Sequence, residues 1–481
     1  MSKMLWGGRF AEGPSKIMLD YCCAEDLKLD ELLVPYDIQG SKAHAVMLAK
    51  NAIVPEKDVA KILKGLDSIL DDWRNGKYHL KLELEDVHMN VENELGKRVG
   101  ESAGKLHTAR SRNDQIALDM RLFYREELDE LSLGTVALIE TLVKIGSENK
   151  ETIMPFYTHM QHAQPTTLGH WCSCQAFGFL RDLERIQEAR KKMNENPLGA
   201  GAGNGTSFPI DRKMTAKLLG FETVAENSAD AVSARAELDA DVAFVCGQLM
   251  THMSRVAQDL ALWSTVEHGM VELSDAWTTG SSMMPNKKNP DPLELLRANA
   301  AIVAHVPGQS LSVGKALQTG YNRDFQAARQ PVFNALTITG KSLVVLAGIL
   351  QSMKLKKKRM TELAEEGHTT ATELANFYVR KGMPFRKAHE KAGLLVRKAI
   401  AEDKKLWELL EGGEKKAASV ANAVNANDSQ GGCAPAQVAK QLKAINEKLQ
   451  EAKAQAMANN KQKQEAEKLL ESEAKRLVAK K

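Results

Sequence analysis

Aromatic side chains make up only 5% of this 481-residue chain, and alternating Val/Ile/Thr runs are scarce. That shortage argues against sheets, while the abundance of Ala, Leu, Met, Lys and Glu favours helix. Cysteine is too sparse and too badly spaced for a framework: Cys22 and Cys23 are adjacent, Cys172 and Cys174 lie one residue apart, and Cys246 and Cys433 stand alone. No C-x-x-C pair occurs, which excludes a zinc ribbon and a disulfide scaffold and points to reduced thiols. No stretch of about 18 uninterrupted apolar residues suggests a membrane span, and the first ten residues lack the apolar core of a secretory signal. A cytoplasmic protein with no membrane partner is expected. A basic footprint is missing too. The formal charge is +3, but residues 440–481 hold 11 Lys/Arg against 6 Glu, a surplus of five that leaves about −2 on the rest. A weakly acidic body gives no purchase for nucleic acid.

What is present is helical pattern over long stretches. The chain is long enough for two or three units. Residues 1–112 read as a helical cap punctuated by Pro35, Gly40, Pro55 and Asn75-Gly76. Residues 113–360 read as a central bundle, with segments 115–150, 166–194, 229–274 and 293–352 each permitting a helix well beyond the ~11–12-residue average. Within them Val242, Val245, Leu249, Met253, Val256, Leu260 and Trp263 form a three-and-four stripe, a bundle seam. Small residues around that stripe predict neighbours on several sides, other subunits included. Residues 361–445 read as a small helical unit, and 446–481 as a charged, solvated helical tail.

Four polar segments carry the chemistry. The loop Thr279 to Pro290 supplies three hydroxyls, two ammonium groups, two amides and a glycine within a dozen residues. Lys287, Asn289 and its backbone N–H groups suit a carboxylate, and Ser281 follows a glycine. Downstream, Asp291 reads as an N-cap, Pro292 as the first helical residue, and Glu294 as a capping-box carboxylate. The segment Pro155 to Pro165 crowds His159 and His162 with side-chain amides in a loop before a helix. Such a pair is more often structural than catalytic, and it lacks a third ligand at metal spacing. In His107 to Gln115, Arg110 and Arg112 with Ser111 and Asn113 suit carboxylate recognition, or equally an ion-paired helix start. The glycine-rich run Gly199 to Ser207 lacks both G-x-G-x-x-G spacing and a P-loop Lys, leaving close packing or backbone donors facing a small anion.

Taken together, these segments resemble the fumarase/aspartase superfamily, whose shared signature is matched from Gly280 to Pro290. Within it the chain is similar to the argininosuccinate lyase family. Further support comes from Trp6 to Phe10, Asp37 to His44, Glu85 to Met89, Arg110 to Gln115, Tyr157 to Gly169, Tyr321 to Asp324 and Val379 to Glu390. The resemblance implies a mostly α, three-domain subunit whose central long-helix bundle is shared in a homotetramer, with active sites assembled from several subunits. It implies elimination of fumarate from argininosuccinate to release arginine, the last step of arginine synthesis, with no metal and no cofactor. By the same analogy Ser281 is the proton-abstracting base and His159 serves the leaving nitrogen with Glu294 orienting it. Lys287 and Asn289 stabilise the carbanion, and the reverse assignment, His159 as base, stays open. Ser111, Arg112, Asn113, Thr158, Tyr321, Gln326 and Arg329 fall at substrate-contacting positions. The chain also departs from the family. Ala109 stands for a usual Gly, and Ser233 to Glu237 differ from the usual S-D-R-D-F. Asp26 stands where many members have Ser, and Gln326 to Gln330 replace Q-E-D-K-E, putting Arg329 for a Lys. A related C–N lyase with altered leaving-group specificity and a non-catalytic structural paralogue are the alternatives these changes leave open.

Overall fold

A computed structural model describes residues 13–479, so the Trp6 to Phe10 run lies outside the described residues. Ser15 caps α1 (Lys16–Asp30) by accepting from the Met18 amide. Helix α2 (Val34–Lys50) follows, with Pro35 in its first turn, where no N–H partner is needed. In α3 (Glu56–Arg74), Val59, Ile62, Leu63, Leu66 and Ile69 form a buried stripe. It faces α4 (Val87–Val99), and the close approach depends on Gly65, since a Cβ there would lie 2.4 Å from Leu95. This cap is therefore more regularly helical than its punctuation suggested.

The bundle begins with α5 (Arg112–Glu148), 37 residues long, and continues through the hairpin β1 (Ile153–Thr158) and β2 (Gln161–Thr167) into α6 (Leu168–Lys192). The segment before α6, read as a loop, is this antiparallel hairpin; its proline- and histidine-rich composition hid the strands. Short elements come next: β3 (Glu195–Asn196), α7 (Arg212–Leu218), β4 (Thr223–Val224) parallel to β3, and α8 (Ser228–Ser233). Helix α9 (Arg235–Trp263) carries the seven-residue stripe, every member 4% exposed or less.

Two long segments break where one helix each had been expected. The 229–274 stretch divides at Ala234 and stops at Trp263, after which Gly269 takes a left-handed φ of 61° ahead of β5 (Val271–Glu272). The 293–352 stretch becomes α10 (Asp291–Ala304), α11 (Val306–Gly314) and α12 (Phe325–Ser352). Pro307 opens α11 because it cannot donate to the turn before it, and Gly320 at φ 108° sits in the second break. Helix α12 is long and apolar enough to cross a membrane by composition, but Val332, Leu336, Leu343 and Leu346 are buried against α5 and α9, the setting of a bundle core.

Strand β6 (Lys354–Leu355) pairs with β5, and α13 (Lys357–Glu365) packs on the hairpin. Helices α14 (Ala371–Arg380), α15 (Phe385–Ala401), α16 (Gly412–Ala417) and α17 (Val420–Ala426) follow. A separate core of Leu374, Tyr378, Ala388, Ala392, Leu406 and Leu410 organises the first of them. The last helix, α18 (Pro435–Ala479), is 45 residues long and unbroken. Its distal part is helical as expected but solvated on one side only. Leu449, Leu470, Ala474 and Leu477 are buried, Lys42 pairs with Asp67 and Glu471, and Lys50 pairs with Glu473 at 2.7 Å. The apolar residues of the tail are few but share one face, which strapped the helix across α2, α3 and α5.

Helices α5, α9 and α12 run parallel. Near their starts Tyr124 donates to Asp239 at 2.6 Å and Phe123 stacks on Phe333 at 4.4 Å. Near their ends Tyr157 lies 6.0 Å from His268, and β5 pairs with β6. The molecule thus has a cap end, where these helices start, and a hairpin end, where they stop.

Candidate active site

At the cap end Ser111 caps α5 by accepting from Asn113 N at 3.2 Å, and Asp114 returns the bond by accepting from Ser111 N at 3.0 Å. The other Asp114 oxygen accepts from Gly199 N and Gly201 N, both at 2.9 Å. The glycine-rich run does turn its backbone donors on an anion, and that anion is the chain's own buried carboxylate. Gly199, Gly201, Gly203 and Gly205 all have φ between 61° and 127°, and a Cβ on Gly201 would meet the Gly205 carbonyl at 2.6 Å. This weld sets Asn113 against the loop, its amide donating to Ala202 O at 3.4 Å. Ala109 sits at φ 61°, a left-handed conformation that Gly adopts freely and that costs an Ala about 1 kcal/mol.

The arginines at this end are largely occupied. Arg112 pairs with Glu85 at 3.1 Å and Asp86 at 3.2 Å. Arg329 pairs with Asp26 at 2.9 Å and Asp30 at 2.8 Å and is 1% exposed. Both guanidiniums are engaged by the chain's own carboxylates, and these pairs hold the cap to the bundle. Desolvation would make such a cation untenable without partners. Here two departures noted in the sequence, Asp26 and Arg329, prove to be partners of one another. Tyr321 lies over Arg235, whose guanidinium carbon is 5.6 Å from both the Tyr321 and Phe325 rings, and Gln326 sits in the first turn of α12. Nearby, Asp37, His88 and Asp119 are buried with ligand atoms within 4.8 Å of one another. The Arg110 guanidinium, also buried, faces both carboxylates and supplies the positive charge a metal would bring.

At the hairpin end, Thr158 and Gln161 are paired across a two-residue turn, His159-Met160, with φ of 53° and 60°. Both central residues are left-handed, as a tight hairpin demands, and neither is Gly. Strain of this kind in a bulky residue gathers at functional sites. His159 and Thr158 are exposed at the tip. The hairpin is held by His162, which sits edge-on to Tyr157 at 5.0 Å and against Gly367, where a Cβ would come within 2.9 Å of the His162 Cβ.

The serine loop has a closed neck and an open tip. Thr279 and Asn289 exchange backbone bonds at 3.1 and 2.8 Å, Asn289 Nδ2 donates to Gly280 O at 3.2 Å, and Thr279 Oγ1 donates to Asp291 at 2.5 Å. Lys288 anchors the base on Leu273 O and Asp275, each at 2.6 Å. At the tip Ser281 Oγ accepts from Met284 N at 3.0 Å and Met283 N at 3.3 Å, and Lys287 is exposed. The expected cap shifts by one residue: Pro290 precedes α10, Asp291 is its first residue, and no side chain caps it. Asp291 serves the neck instead, and Glu294 stays half-exposed, 3.8 Å from Arg297. Sequence reasoning missed Lys288 and Asp30, and it gave Asp291 a cap in place of its role in the neck. Asp114 carried a readable signal, since Ser111-x-x-Asp114 is a capping-box spacing, whereas nothing local distinguished Lys288 from Lys287.

The two groups do not meet within one chain. Ser111, Asn113, Tyr321, Gln326 and Arg329 lie at the cap end; Thr158, His159, Ser281, Lys287, Asn289 and Glu294 lie at the hairpin end. Helix α5 between them spans roughly 55 Å at 1.5 Å per residue. A cleft of about 720 Å³ between α6 and α18, lined by His170, Cys174, Phe177, Lys440 and Gln441, contains none of these residues.

Residues 21–305 match the family model described as lyase, and by class the chain is a mostly α lyase. Residues 368–415 match the model described as argininosuccinate lyase C-terminal. The argininosuccinate lyase of Pelotomaculum thermopropionicum is 41% identical over 458 residues, 93% of this chain and 99% of that protein. That of Chelativorans sp. is 42% identical, covering 93% and 97%. Among solved structures, EDDS lyase in complex with formate superposes with a TM-score of 0.86 at 27% identity, covering 97% of each chain. The 3-carboxy-cis,cis-muconate lactonizing enzyme from Pseudomonas putida gives 0.72 at 18% identity over 90% of this chain, a likeness of fold alone. The chain belongs to the argininosuccinate lyase family.

Proposed function

We propose that this chain cleaves argininosuccinate into arginine and fumarate in the cytoplasm, as a homotetramer whose sites combine the cap end of one copy with the hairpin ends of others. The observation that carries the chemistry is Ser281, whose Oγ already accepts two backbone N–H groups. Those donors stabilise an alkoxide, as a serine acting as base requires. Ser281 removes the proton beside the succinyl carboxylate. Lys287 and the loop-tip amides stabilise the aci-carboxylate charge that develops, while Asn289 keeps the neck closed around them. The C–N bond then breaks, fumarate forms, and His159, polarised by Glu294, protonates the departing nitrogen. Asn113, Ser111 and Thr158 bind the succinyl portion, and Tyr321 and Gln326 the leaving group.

Assembly between copies is supported by large apolar side chains left outward on the bundle: Leu133 on α5, Phe244 on α9, Leu295 and Ile302 on α10, Leu311 on α11 and Val344 on α12. They continue the small-residue faces expected to meet other subunits. The test is direct: purified protein incubated with argininosuccinate should generate fumarate, read by its ultraviolet absorbance. Absence of fumarate would refute the assignment and favour a lyase with another leaving group.

A further inference from the structure

The hairpin that carries His159 is attached to the molecule in two unequal parts. Up to the pair of Phe156 with Gln164 it is anchored, with Met154, Pro155, Pro165 and Thr166 buried. Beyond that pair the register shifts: Tyr157 lies opposite His162, which leaves Ala163 without a partner on β1. A bulge of this kind bends the strand and re-aims what lies past it. The exposed tip, Thr158 to Gln161, therefore hangs from a single pair, Tyr157 and His162, whose rings meet edge to face at 5.0 Å.

Both members of that pair are backed from outside the hairpin. His162 Nδ1 lies 3.4 Å from Glu366 O, and the side chain rests against Gly367, in the turn between α13 and α14. Gly367 and His368 are both left-handed, at φ 68° and 56°, which folds this turn tightly. Tyr157 is backed by His268, 6.0 Å away, in the segment after α9. Arg359 joins the two supports: Nη1 donates to the Glu366 carboxylate at 2.9 Å, Nε to His268 O at 3.2 Å and Nη2 to Glu267 O at 3.3 Å. The fit at Gly367 has no slack. A Cβ there would lie 2.9, 3.2 and 3.3 Å from the His162 Cβ, Nδ1 and Cγ. Carbon contacts settle at about 3.5–4.0 Å, so an added methyl would push the pair, and the tip with it, by something on the order of 1 Å.

Resting on the reaction proposed above, in which His159 serves the departing nitrogen, we propose that His162 is a positioning residue that sets the reach and aim of His159, with the Glu366–His368 turn as its rest. His162 acts through His159 and not through the substrate. The turn between α13 and α14 thereby belongs to the catalytic apparatus while contributing no group to the reaction.

The test is a cycle between the two residues in contact, read as fumarate release from argininosuccinate well below each variant's melting midpoint. Gly367→Ala should lower kcat about 10- to 100-fold, the penalty for misplacing a reacting group by ~1 Å. His162→Gly removes the atoms that the new methyl would strike. It should be slow by itself, but adding Gly367→Ala to it should cost less than about twofold more. His162→Asn, whose amide can take the place of Nδ1 toward Glu366 O, should stay within about threefold of wild type. Left-handed strain at residue 367 lowers the midpoint in both backgrounds alike, so stability should be additive where kcat is not. An equal kcat loss from Gly367→Ala in both backgrounds would overturn the inference, as would a folded Gly367→Ala protein with wild-type kcat. If Gly367→Ala does not fold, the two His162 variants decide, and an Asn variant as slow as the Gly variant would overturn it. No fumarate from wild type would instead overturn the proposed reaction and this inference with it.

Discussion

The two ends of the bundle solve different problems. At the cap end, several charged groups are buried and answered by their own chain: Asp114 by three backbone N–H groups, Arg329 by Asp26 and Asp30, Arg112 by Glu85 and Asp86. At the hairpin end, the necks are fixed and the tips are bare, with Thr158, His159, Ser282 and Lys287 all exposed. The cap end is a finished surface that fixes geometry, and the hairpin end is a set of reactive groups awaiting a counterpart. Chemistry and stability should therefore separate between them.

The sharpest separation is expected at Ser281. Ser281→Ala should reduce kcat by at least about a thousandfold with an unchanged melting temperature, because the side chain bonds only within an exposed loop tip. Loss of stability in step with activity would erase the contrast. Arg329→Met should behave in the opposite way, costing about 3–5 kcal/mol in denaturant unfolding because Asp26 and Asp30 lose their shared cation. Leu470→Ala, on the strap formed by the end of α18, should cost about 2–4 kcal/mol and leave kcat nearly unchanged. An unchanged midpoint there would return the tail to solvent.

The most gradual effect concerns pH. His44 donates to Thr108 O at 2.9 Å, and burial followed by the nearby Arg110 charge pushes its pKa down to about 3. The unfolded imidazole, near 6.5, binds the extra proton, so stability should fall as pH drops from about 6.5 toward 3, by up to about 1.4 kcal/mol per unit. His44→Gln should flatten that slope, and an unchanged slope would assign acid sensitivity to other groups.

Much of this architecture was legible because it rests on local pattern. The α9 stripe and the extents of α5 and α6 follow from apolar periodicity, and the serine loop stands out by composition. What was illegible depended on pairing across sequence. Asp26 and Arg329 are 303 positions apart in number and in contact in space, so each looked like a separate loss. The tail looked solvated because its buried Leu470 and Leu477 are thinly spaced among Lys and Glu. The break at Pro307 was visible in the sequence, but the apolar pattern continued past it and masked it. The relation of the two half-sites could not be read locally at all, since it emerges only from the length of α5 and the parallel course of α9 and α12.

The central claim is that each site needs both ends and that different copies supply them. Purified Asn113→Ala and Ser281→Ala proteins, each inactive alone, can be unfolded together, refolded as a mixture and assayed for fumarate release from argininosuccinate. Hybrid assemblies will contain some sites with an intact cap end from one variant and an intact hairpin end from the other, so activity should return above either parent refolded alone. Recovery no greater than the parents, with mixed oligomers demonstrably formed, would contradict a site shared between copies.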